Sequence, residues 1–403
     1  MDRPTRPPAL LPLLLCLCLC LCVASPRAGS AASVTAGTPD GSERWGYVEV
    51  RPKAHLFWWY YRSPQRTSAP GKPWPTVLWL QGGPGASGVG LGNFLEVGPL
   101  DVNLKPRNST WLQKADLIFV DNPVGVGYSY VEDDSLLVTT DWQQAADATA
   151  LLRALVREVP TLQSSPLFLV AESYGGKYAA TLGASVARAV RAGELGITLG
   201  GVALGDSWIS PEDFTLAYTP LLLSVSRLDD NAGDEAKRKA EAVRRQIAAG
   251  QLAPAQGSWG DLLDFISTKS GNVDMYNFLL DSGMDPVSAD TPTGSSATAS
   301  SVQALRYAAY LGGEDSDSNT IDGIMNGVVK EKLKIVPKDL KWVEISQDVY
   351  NALVNDFMKP RIDEIDELLS YGVNVTVYNG QVPADQPCIA LSMISSITQS
   401  PAS

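Results

Sequence analysis

The chain has 403 residues, with a hydrophobic fraction of 45% and a charged fraction of 19%. This composition is ordinary for a globular protein, and the length is enough for a large core in one or two domains. With 44 acidic against 32 basic side chains, the net charge is -12. The excess of acid argues against nucleic acid and anionic membranes as partners, because both require a basic face.

The N-terminus has the pattern of a secretory signal peptide. Two arginines precede an apolar run, Ala9–Val23, and small residues follow it. We predict a signal peptide over residues 1–24, with cleavage after Ala24 or, alternatively, within 28–30. A run of about 15 apolar residues is short for a membrane anchor. We therefore expect no membrane attachment after cleavage, and a secreted or lysosomal location.

The cysteines and two sequons bear on this secretory route. Four of the five cysteines lie in the predicted signal peptide, so only Cys388 remains and no intrachain disulfide is expected. A lone thiol is unusual for a secreted protein. Two sequons, at Asn108 and Asn374, predict N-glycosylation. Because the second lies in a predicted buried strand, we expect Asn374 to stay unmodified in the folded protein.

Short apolar runs that end in glycine or proline predict the strands. A Gly/Ser/Ala-rich lead extends to about Gly41. The predicted strands after it are Leu56–Tyr61, Thr76–Leu80, Leu117–Asp121, Leu167–Val170, Leu199–Leu204 and Val373–Tyr378. Continuous apolar runs are typical of parallel strands buried on both faces, and helical spacing of apolar residues follows Gly176 and again precedes Val373. We predict a mostly parallel α/β sheet with functional residues at the carboxyl ends of its strands.

The segment from about Pro211 to Lys341 interrupts this alternation. It contains a charged helical stretch, Asp234–Ala249, and a low-complexity run, Ser288–Ser301, that is typical of a flexible loop. We predict a mostly helical cap, 211–341, inserted into a core made of 25–210 and 342–403.

A serine at the end of a strand is the main chemical signal. The run Leu167–Val170 leads into Ala171-Glu172-Ser173-Tyr174-Gly175-Gly176, the pattern of a nucleophile elbow, in which a sharp turn exposes a serine hydroxyl. Taken alone, Ser173 is also compatible with a helix N-cap. The turn Gly82–Gly85 is compatible with a plain tight turn or a phosphate loop, although it lacks the Lys-Ser/Thr of a P-loop. Together the two motifs favour a serine hydrolase with an oxyanion hole.

Four motifs in order resemble those of the serine carboxypeptidases. They are Trp79-Leu80-Gln81-Gly82-Gly83-Pro84-Gly85, Asn93-Phe94-Leu95-Glu96-Val97-Gly98-Pro99, Asp121-Asn122-Pro123-Val124-Gly125-Val126-Gly127-Tyr128-Ser129-Tyr130 and Glu172-Ser173-Tyr174-Gly175-Gly176. The resemblance runs from about Trp45 to Gln381. It implies an α/β-hydrolase fold and the removal of C-terminal residues from peptides through an acyl-enzyme.

The resemblance also implies which groups carry the chemistry. Ser173 is the expected nucleophile, and the backbone N–H groups of Gly83 and Tyr174 are the expected oxyanion hole. No metal or organic cofactor is predicted, because metal sites draw on clusters of His or Cys.

Three further side chains are expected to hold the terminal carboxylate of a peptide. They are Gln81, where the family usually has Asn, together with Glu172 and Glu96. From the residues alone, both glutamates would be interpreted as surface charge. Two carboxyl groups share a hydrogen bond only if one keeps its proton, so we expect function at acidic pH. The expected partners are peptides with a free C-terminus.

The end of the chain departs from the family pattern. In the family, the triad aspartate follows the late strand and the histidine comes much later. Here Asn379-Gly380-Gln381 leads directly into Val382-Pro383-Ala384-Asp385-Gln386-Pro387, which resembles the segment after the histidine. We infer that several dozen residues, with the triad Asp, the last strand and the His, are missing at this junction.

Two residues are candidates to replace the missing groups. The one histidine of the chain, His55, lies beside an aromatic strand, where a packing role is usual, and Asp385 belongs to the motif after the lost histidine. By analogy with triad knockouts, a serine without its base loses activity by about a millionfold, so we predict a catalytically impaired chain. The alternatives are a peptide-binding pseudoenzyme or regulator, and an esterase or acyltransferase on the same scaffold.

The inferred loss also bears on folding. Without a last strand, we expect the edge and the apolar faces of Val373–Tyr378 to be exposed. The apolar tail Ile389–Ile397 would be misplaced. We therefore expect less efficient secretion than for a full-length relative.

Overall fold

The computed structural model describes residues 33–67, 73–282 and 320–380. Outside these residues lie the predicted signal peptide, the Ser288–Ser301 run, the Gln381–Val382 junction, Asp385, Cys388 and the Ile389–Ile397 tail. In the described part of the chain, no helix is both long enough and apolar enough to cross a membrane.

One mixed sheet organises the molecule. The strands of the described residues are β1 (Ser33–Gly37), β2 (Glu43–Arg51), β3 (Ala54–Tyr61), β4 (Thr76–Leu80), β5 (Asp116–Val120), β6 (Tyr130–Val131), β7 (Pro166–Glu172), β8 (Thr198–Gly205) and β9 (Val375–Tyr378). Their order is β1-β2-β3-β5-β4-β7-β8-β9, and β6 pairs with β3. The run β5-β4-β7-β8-β9 is parallel, whereas β1, β2, β3 and β6 pair in antiparallel fashion.

The parallel strands confirm the mostly parallel sheet that the apolar runs predict. β4 occupies the predicted range, and all five of its residues are buried. The bounds of β5, β7, β8 and β9 lie within two residues of the predicted ones. Apolar runs form strands here because both faces of the sheet are covered, so side chains on either side leave water.

The antiparallel strands β1 and β2 are not predicted by the apolar pattern. β1 lies in the Gly/Ser/Ala-rich lead and pairs with residues 44–48 of β2. Small residues have little strand propensity, so β1 depends on its partner for its conformation. β2 in turn pairs with the aromatic strand β3, where Trp45 lies opposite Trp59 with ring centroids 5.8 Å apart. Such aromatic cross-strand pairs stabilise a sheet.

Helices cover both faces of the sheet. The α-helices of the described residues are α1 (Asp141–Glu158), α2 (Gly175–Arg191), α3 (Pro211–Ser224), α4 (Asp230–Ala248), α5 (Leu252–Lys269), α6 (Ile321–Ile324), α7 (Lys330–Leu333), α8 (Gln347–Ala352), α9 (Val354–Phe357) and α10 (Ile362–Ser370). Short 3-10 turns lie at Trp111–Gln113, Asp134–Leu136 and Pro160–Gln163, and π-helical segments at Gly88–Val97 and Met325–Val329. Alternate side chains of β4 pack into the two hydrophobic clusters on opposite faces of the sheet. Leu78 and Leu80 join the cluster that includes α1 and α2, whereas Val77 and Trp79 pack with Phe94.

The described part of 211–341 is helical. The charged stretch predicted at Asp234–Ala249 is α4. Leu222, Val243 and Ile266, from α3, α4 and α5, belong to the same hydrophobic cluster as residues of the sheet. These helices therefore share one hydrophobic cluster with the sheet, and the division of the chain into core and cap stays a prediction.

β9 ends the sheet in the described residues. Val375 and Val377 are half-buried, and Thr376 and Tyr378 are exposed. The face left open is thus the polar one, so the expectation of exposed apolar faces is only partly met. Asn374, on that same open face, is exposed. The prediction that this asparagine lies in a buried strand is wrong, because no described element covers that side of β9.

Candidate active site

Ser173 lies on the sharp turn between β7 and α2. Its φ angle is 56°, in the left-handed region that strains a residue with a Cβ. The Ser173 N–H donates to the carbonyl of Gly205 (2.9 Å), and the Ser173 carbonyl accepts from the N–H groups of Gly176 and Trp208 (both 3.0 Å). No side chain caps the start of α2, so the N-cap interpretation of Ser173 does not hold. The turn has the backbone geometry of a nucleophile elbow.

Gly82 brings the glycine-rich turn close to the serine. A Cβ on Gly82 would lie 2.8 Å from the Ser173 Cβ, 2.9 Å from the Glu172 carbonyl and 3.0 Å from the Tyr174 nitrogen. Only glycine permits this approach. The turn that carries Gly83 therefore passes beside both Ser173 and the backbone N–H of Tyr174, so the predicted oxyanion donors and the nucleophile lie together.

A neighbouring strand-like segment fixes the shape of that turn. Gly83 and Gly85 have φ angles of 105° and 95°, which favour glycine. The Gly85 carbonyl accepts from the Ser346 N–H (2.9 Å), and the Ser87 N–H donates to the Glu344 carbonyl (3.0 Å). Two backbone hydrogen bonds to the 344–346 segment thus hold the turn in place.

Gln81, Glu96 and Glu172 form one polar chain at this turn. The Gln81 side chain is fully buried. Its Nε2 donates to Glu96 Oε1 (3.0 Å) and lies 3.5 Å from Glu172 Oε2. The indole N–H of Trp79 donates to Gln81 Oε1 (2.7 Å), so the donor end of the amide must face the two carboxyls. The predicted carboxylate-binding residues therefore lie together, and Trp79 is a member of the site that motif reasoning does not assign.

Burial changes the protonation of this chain. It raises the pKa of Glu96 to about 7, against the opposing effects of the Gln81 hydrogen bond and the Arg107 charge. Glu96 is therefore protonated at acidic pH and has an O–H to donate. This agrees with the expectation that one of the two glutamates keeps a proton. The surface-charge interpretation of Glu96 is wrong.

No described residue supplies a base to the serine. Within residues 33–67, 73–282 and 320–380, no hydrogen bond involves the Ser173 hydroxyl. His55 stacks on Tyr130 with ring centroids 4.5 Å apart, and its Nε2 lies 3.4 Å from Glu132 Oε1. β5 and β4 lie between β3 and β7, so about 14 Å of sheet separates His55 from the strand of the elbow. His55 is a packing residue.

A buried charge network lies beneath the elbow. Tyr174 donates its hydroxyl to Asp141 Oδ1 (3.0 Å). Asp141 Oδ2 lies 3.4 Å from Lys177 Nζ and 2.8 Å from an Arg361 nitrogen, and Arg361 also pairs with Asp356. Burial lowers the pKa of the Lys177 ammonium, and the Asp141 charge opposes that shift. The network joins α1, the first turn of α2 and the segment before α10.

The glycine-rich turn has acidic neighbours. Glu96 and Glu172 adjoin this turn, and both reach the Gln81 amide. In the described ranges, no group of three His, Cys, Asp or Glu side chains is arranged to hold a metal ion.

Comparison with known families agrees with this geometry. A family model for serine carboxypeptidases matches residues 34–400. The chain belongs to the serine carboxypeptidase family. "Serine carboxypeptidase-like 51" from Arabidopsis thaliana is 57% identical over 351 residues, which cover 85% of this chain and 76% of that protein. The human "Retinoid-inducible serine carboxypeptidase" is 39% identical over 380 residues, covering 93% of this chain and 78% of the relative.

A solved carboxypeptidase shares the fold. The structure of KEX1(delta)P, a prohormone-processing carboxypeptidase from Saccharomyces cerevisiae, superposes with a TM-score of 0.68. It covers 87% of this serine carboxypeptidase and 75% of the yeast chain at 20% identity. The mostly parallel, helix-covered sheet is that of the α/β-hydrolases, as predicted.

Proposed function

We propose that this chain binds the free C-terminus of peptides at acidic pH and hydrolyses them at a strongly reduced rate. The observation that carries the proposal is an imbalance within one site. The hydrogen-bonded side chains of Gln81, Glu96 and Glu172 lie beside the Ser173 elbow. The one histidine of the sequence, in contrast, lies several strands away. Among the described residues, groups suited to holding a carboxylate thus lie beside the serine, whereas no base does.

Recognition depends on the proton of Glu96. Below its pKa of about 7, the Glu96 carboxyl donates a hydrogen bond, and a peptide carboxylate is an acceptor for it. Above that pKa, two like charges would meet in a half-buried site. We therefore expect affinity for a free C-terminus to be highest near pH 5 and to fall as the pH passes 7.

Catalysis by Ser173 would lack proton transfer. The hydroxyl would attack the scissile carbonyl, and the N–H groups of Gly83 and Tyr174 would stabilise the oxyanion. Without an imidazole to accept the hydroxyl proton and return it to the leaving amine, only residual catalysis from the oxyanion hole and binding is expected.

We further propose that a segment with the triad Asp, a last strand and the His is missing between Gln381 and Val382. Two observations support this. β9 ends the sheet in the described residues, and the human relative has 22% of its length outside the match, against 7% of this chain. Insertion of the corresponding segment from the Arabidopsis relative is expected to restore serine-dependent hydrolysis. A folded chimera without activity would contradict this proposal.

The secretory route with N-glycosylation is part of the proposal. Asn108 and Asn374 are both exposed, which supports modification of either. Expression in eukaryotic cells, followed by glycosidase treatment of wild type, Asn108→Gln and Asn374→Gln, is expected to show two glycans. If both single variants keep the full glycosidase-sensitive change in gel mobility that wild type shows, the assignment is contradicted.

Hydrolysis of an N-blocked dipeptide at pH 5 tests the function directly. We expect purified wild type to exceed Ser173→Ala by far less than an intact serine carboxypeptidase would, and both proteins to bind the peptide. Robust serine-dependent turnover would mean that another base exists and would overturn the mechanism. Turnover of esters only, or transfer to an acceptor other than water, would instead support the esterase or the acyltransferase.

Binding without turnover is the second arm of the test. Wild type is expected to bind the dipeptide more tightly than its C-terminal amide, and Gln81→Leu is expected to remove that preference. Equal affinity of wild type for acid and amide would contradict carboxylate recognition, whatever the rate of hydrolysis.

A further inference from the structure

Three residues form one row across the parallel strands next to the elbow. Glu172 of β7 pairs with Gly205 of β8, and Gly205 pairs with Tyr378 of β9. Residues in register on neighbouring parallel strands project from the same face of a sheet. Because the middle member is glycine, no side chain separates those of Glu172 and Tyr378.

The Tyr378 side chain fills the space above the glycine. A Cβ on Gly205 would lie 2.5 Å from the Tyr378 hydroxyl oxygen, so the phenol extends over β8 and toward β7. The Gly205 carbonyl is also the acceptor for the Ser173 N–H. The hydroxyl thus lies at the same strand position that fixes the nucleophile, on the side of Glu172.

The surroundings keep this hydroxyl protonated. Burial raises the pKa of Tyr378, and the charges of Glu172, Asp206 and Glu96 raise it further. At any physiological pH the phenol is therefore a hydrogen-bond donor. The hydroxyl is therefore close enough to Glu172 and Glu96 to interact with their charges.

The side chain is accessible as well. Tyr378 is 39% exposed, in contrast to Tyr174, which is 1% exposed. The Tyr378 side chain is therefore partly open to a ligand that enters the site.

We propose that the Tyr378 hydroxyl is a further donor to the terminal carboxylate of a bound peptide, acting beside Glu96 and Gln81. This inference rests on the proposed function, because it adds a specificity-determining residue to the same site. The Tyr378 donor differs from the Glu96 donor in its pH dependence. The contribution of Glu96 is lost as its carboxyl ionises, whereas a phenol donor remains available at neutral pH.

Binding of an N-blocked dipeptide and of its C-terminal amide to Tyr378→Phe tests the proposal. The substitution keeps the ring over Gly205 and removes only the hydroxyl. Loss of a hydrogen bond to a charged group weakens binding by roughly tenfold, so we expect that loss for the acid at both pH 5 and pH 7.5, with amide affinity unchanged. Tyr371→Phe, seven positions earlier and packed under Arg191, is the matched control and is expected to change neither affinity.

Two results would overturn the inference. Unchanged affinity for the acid would show that the hydroxyl is not a donor, and an equal loss for acid and amide would show that Tyr378 only packs. Gln81→Leu separates this failure from that of the proposed function. If Gln81→Leu removes the preference for the acid and Tyr378→Phe does not, the carboxylate site stands without Tyr378. If neither changes it, the proposed function fails.

Discussion

Gly82 has no Cβ, and this allows its turn to approach the Ser173 elbow closely. A Cβ on Gly82 would lie 2.8 Å from the Ser173 Cβ and 3.0 Å from the Tyr174 nitrogen. Ser173 is itself strained, since its φ angle is 56°. The geometry of the site therefore depends on backbone contacts more than on side-chain chemistry.

Gly82→Ala is expected to destabilise the protein by about 1–3 kcal/mol, because the added Cβ overlaps atoms of a packed turn that has little room to move. Urea unfolding measures the change. Gly257→Ala is the matched control, since a Cβ there meets no atom within 4 Å, and alanine in a helix interior stabilises by about 0.5–1 kcal/mol. Equal effects of the two substitutions would contradict the close approach at Gly82.

The turns that carry Ser173 and Gly83 were predictable from the sequence as a pair. Ser173 and Gly83 each stand in a strand-to-turn pattern that has other uses alone, and only the two patterns together favour a serine hydrolase. Trp79 and Tyr378 were not predictable. The indole contact of Trp79 and the proposed role of Tyr378 depend on which atoms meet across the sheet, and that requires the strand register.

At the scale of elements, α2 is tied to two other segments by buried charge. Lys177 and Asp141 have fully buried side chains, and Lys177 Nζ also donates to the Phe357 carbonyl (2.9 Å). A buried ion pair adds stability only while both partners are present. The first turn after the elbow is thus sensitive to single substitutions in α1 and in the segment before α10.

Lys177→Met is expected to cost about 3–5 kcal/mol of unfolding free energy, because it leaves excess negative charge on buried carboxylates. Arg153→Met breaks the exposed ion pair with Glu194 (2.8 Å) and is expected to cost less than about 1 kcal/mol. Chemical denaturation of the two variants gives the comparison. A loss below 1 kcal/mol for Lys177→Met would show that the network does not stabilise α2.

Strands and helices were predicted correctly from the sequence where the segment itself carried a clear pattern of apolar residues. Continuous apolar runs gave the parallel strands, because those strands are buried on both faces. β1 has a weak intrinsic signal and forms through pairing with β2. α1 carries many polar residues that become buried, among them Asp141 and Gln144, and their partners are distant in sequence.

At the scale of the whole molecule, several buried carboxyls favour acidic conditions. Burial raises the pKa of Glu96 and of Glu344 to about 7, and that of Asp121 to about 6. Each group binds its proton more tightly in the folded protein than in the unfolded chain. Its contribution to stability is complete below the ordinary carboxyl pKa and is lost as the pH rises through the folded value.

The melting temperature is therefore expected to fall between pH 4.5 and pH 7.5. Calorimetry or fluorescence over this range measures the slope. Glu344→Gln removes one of the three titrating groups, so it is expected to flatten the slope and to raise the melting temperature at pH 7.5. A melting temperature that rises toward neutral pH in wild type would contradict this linkage.

The contact between Asp141 and Arg361 imposes an order on biosynthesis. The two residues lie 220 positions apart in the chain, and a ribosome adds about 5–20 residues per second. Asp141 is therefore made roughly 10–40 s before its second cationic partner, Arg361. During that interval the nascent chain cannot complete the layer beneath the nucleophile, so this layer closes only after the segment with Arg361 has been made.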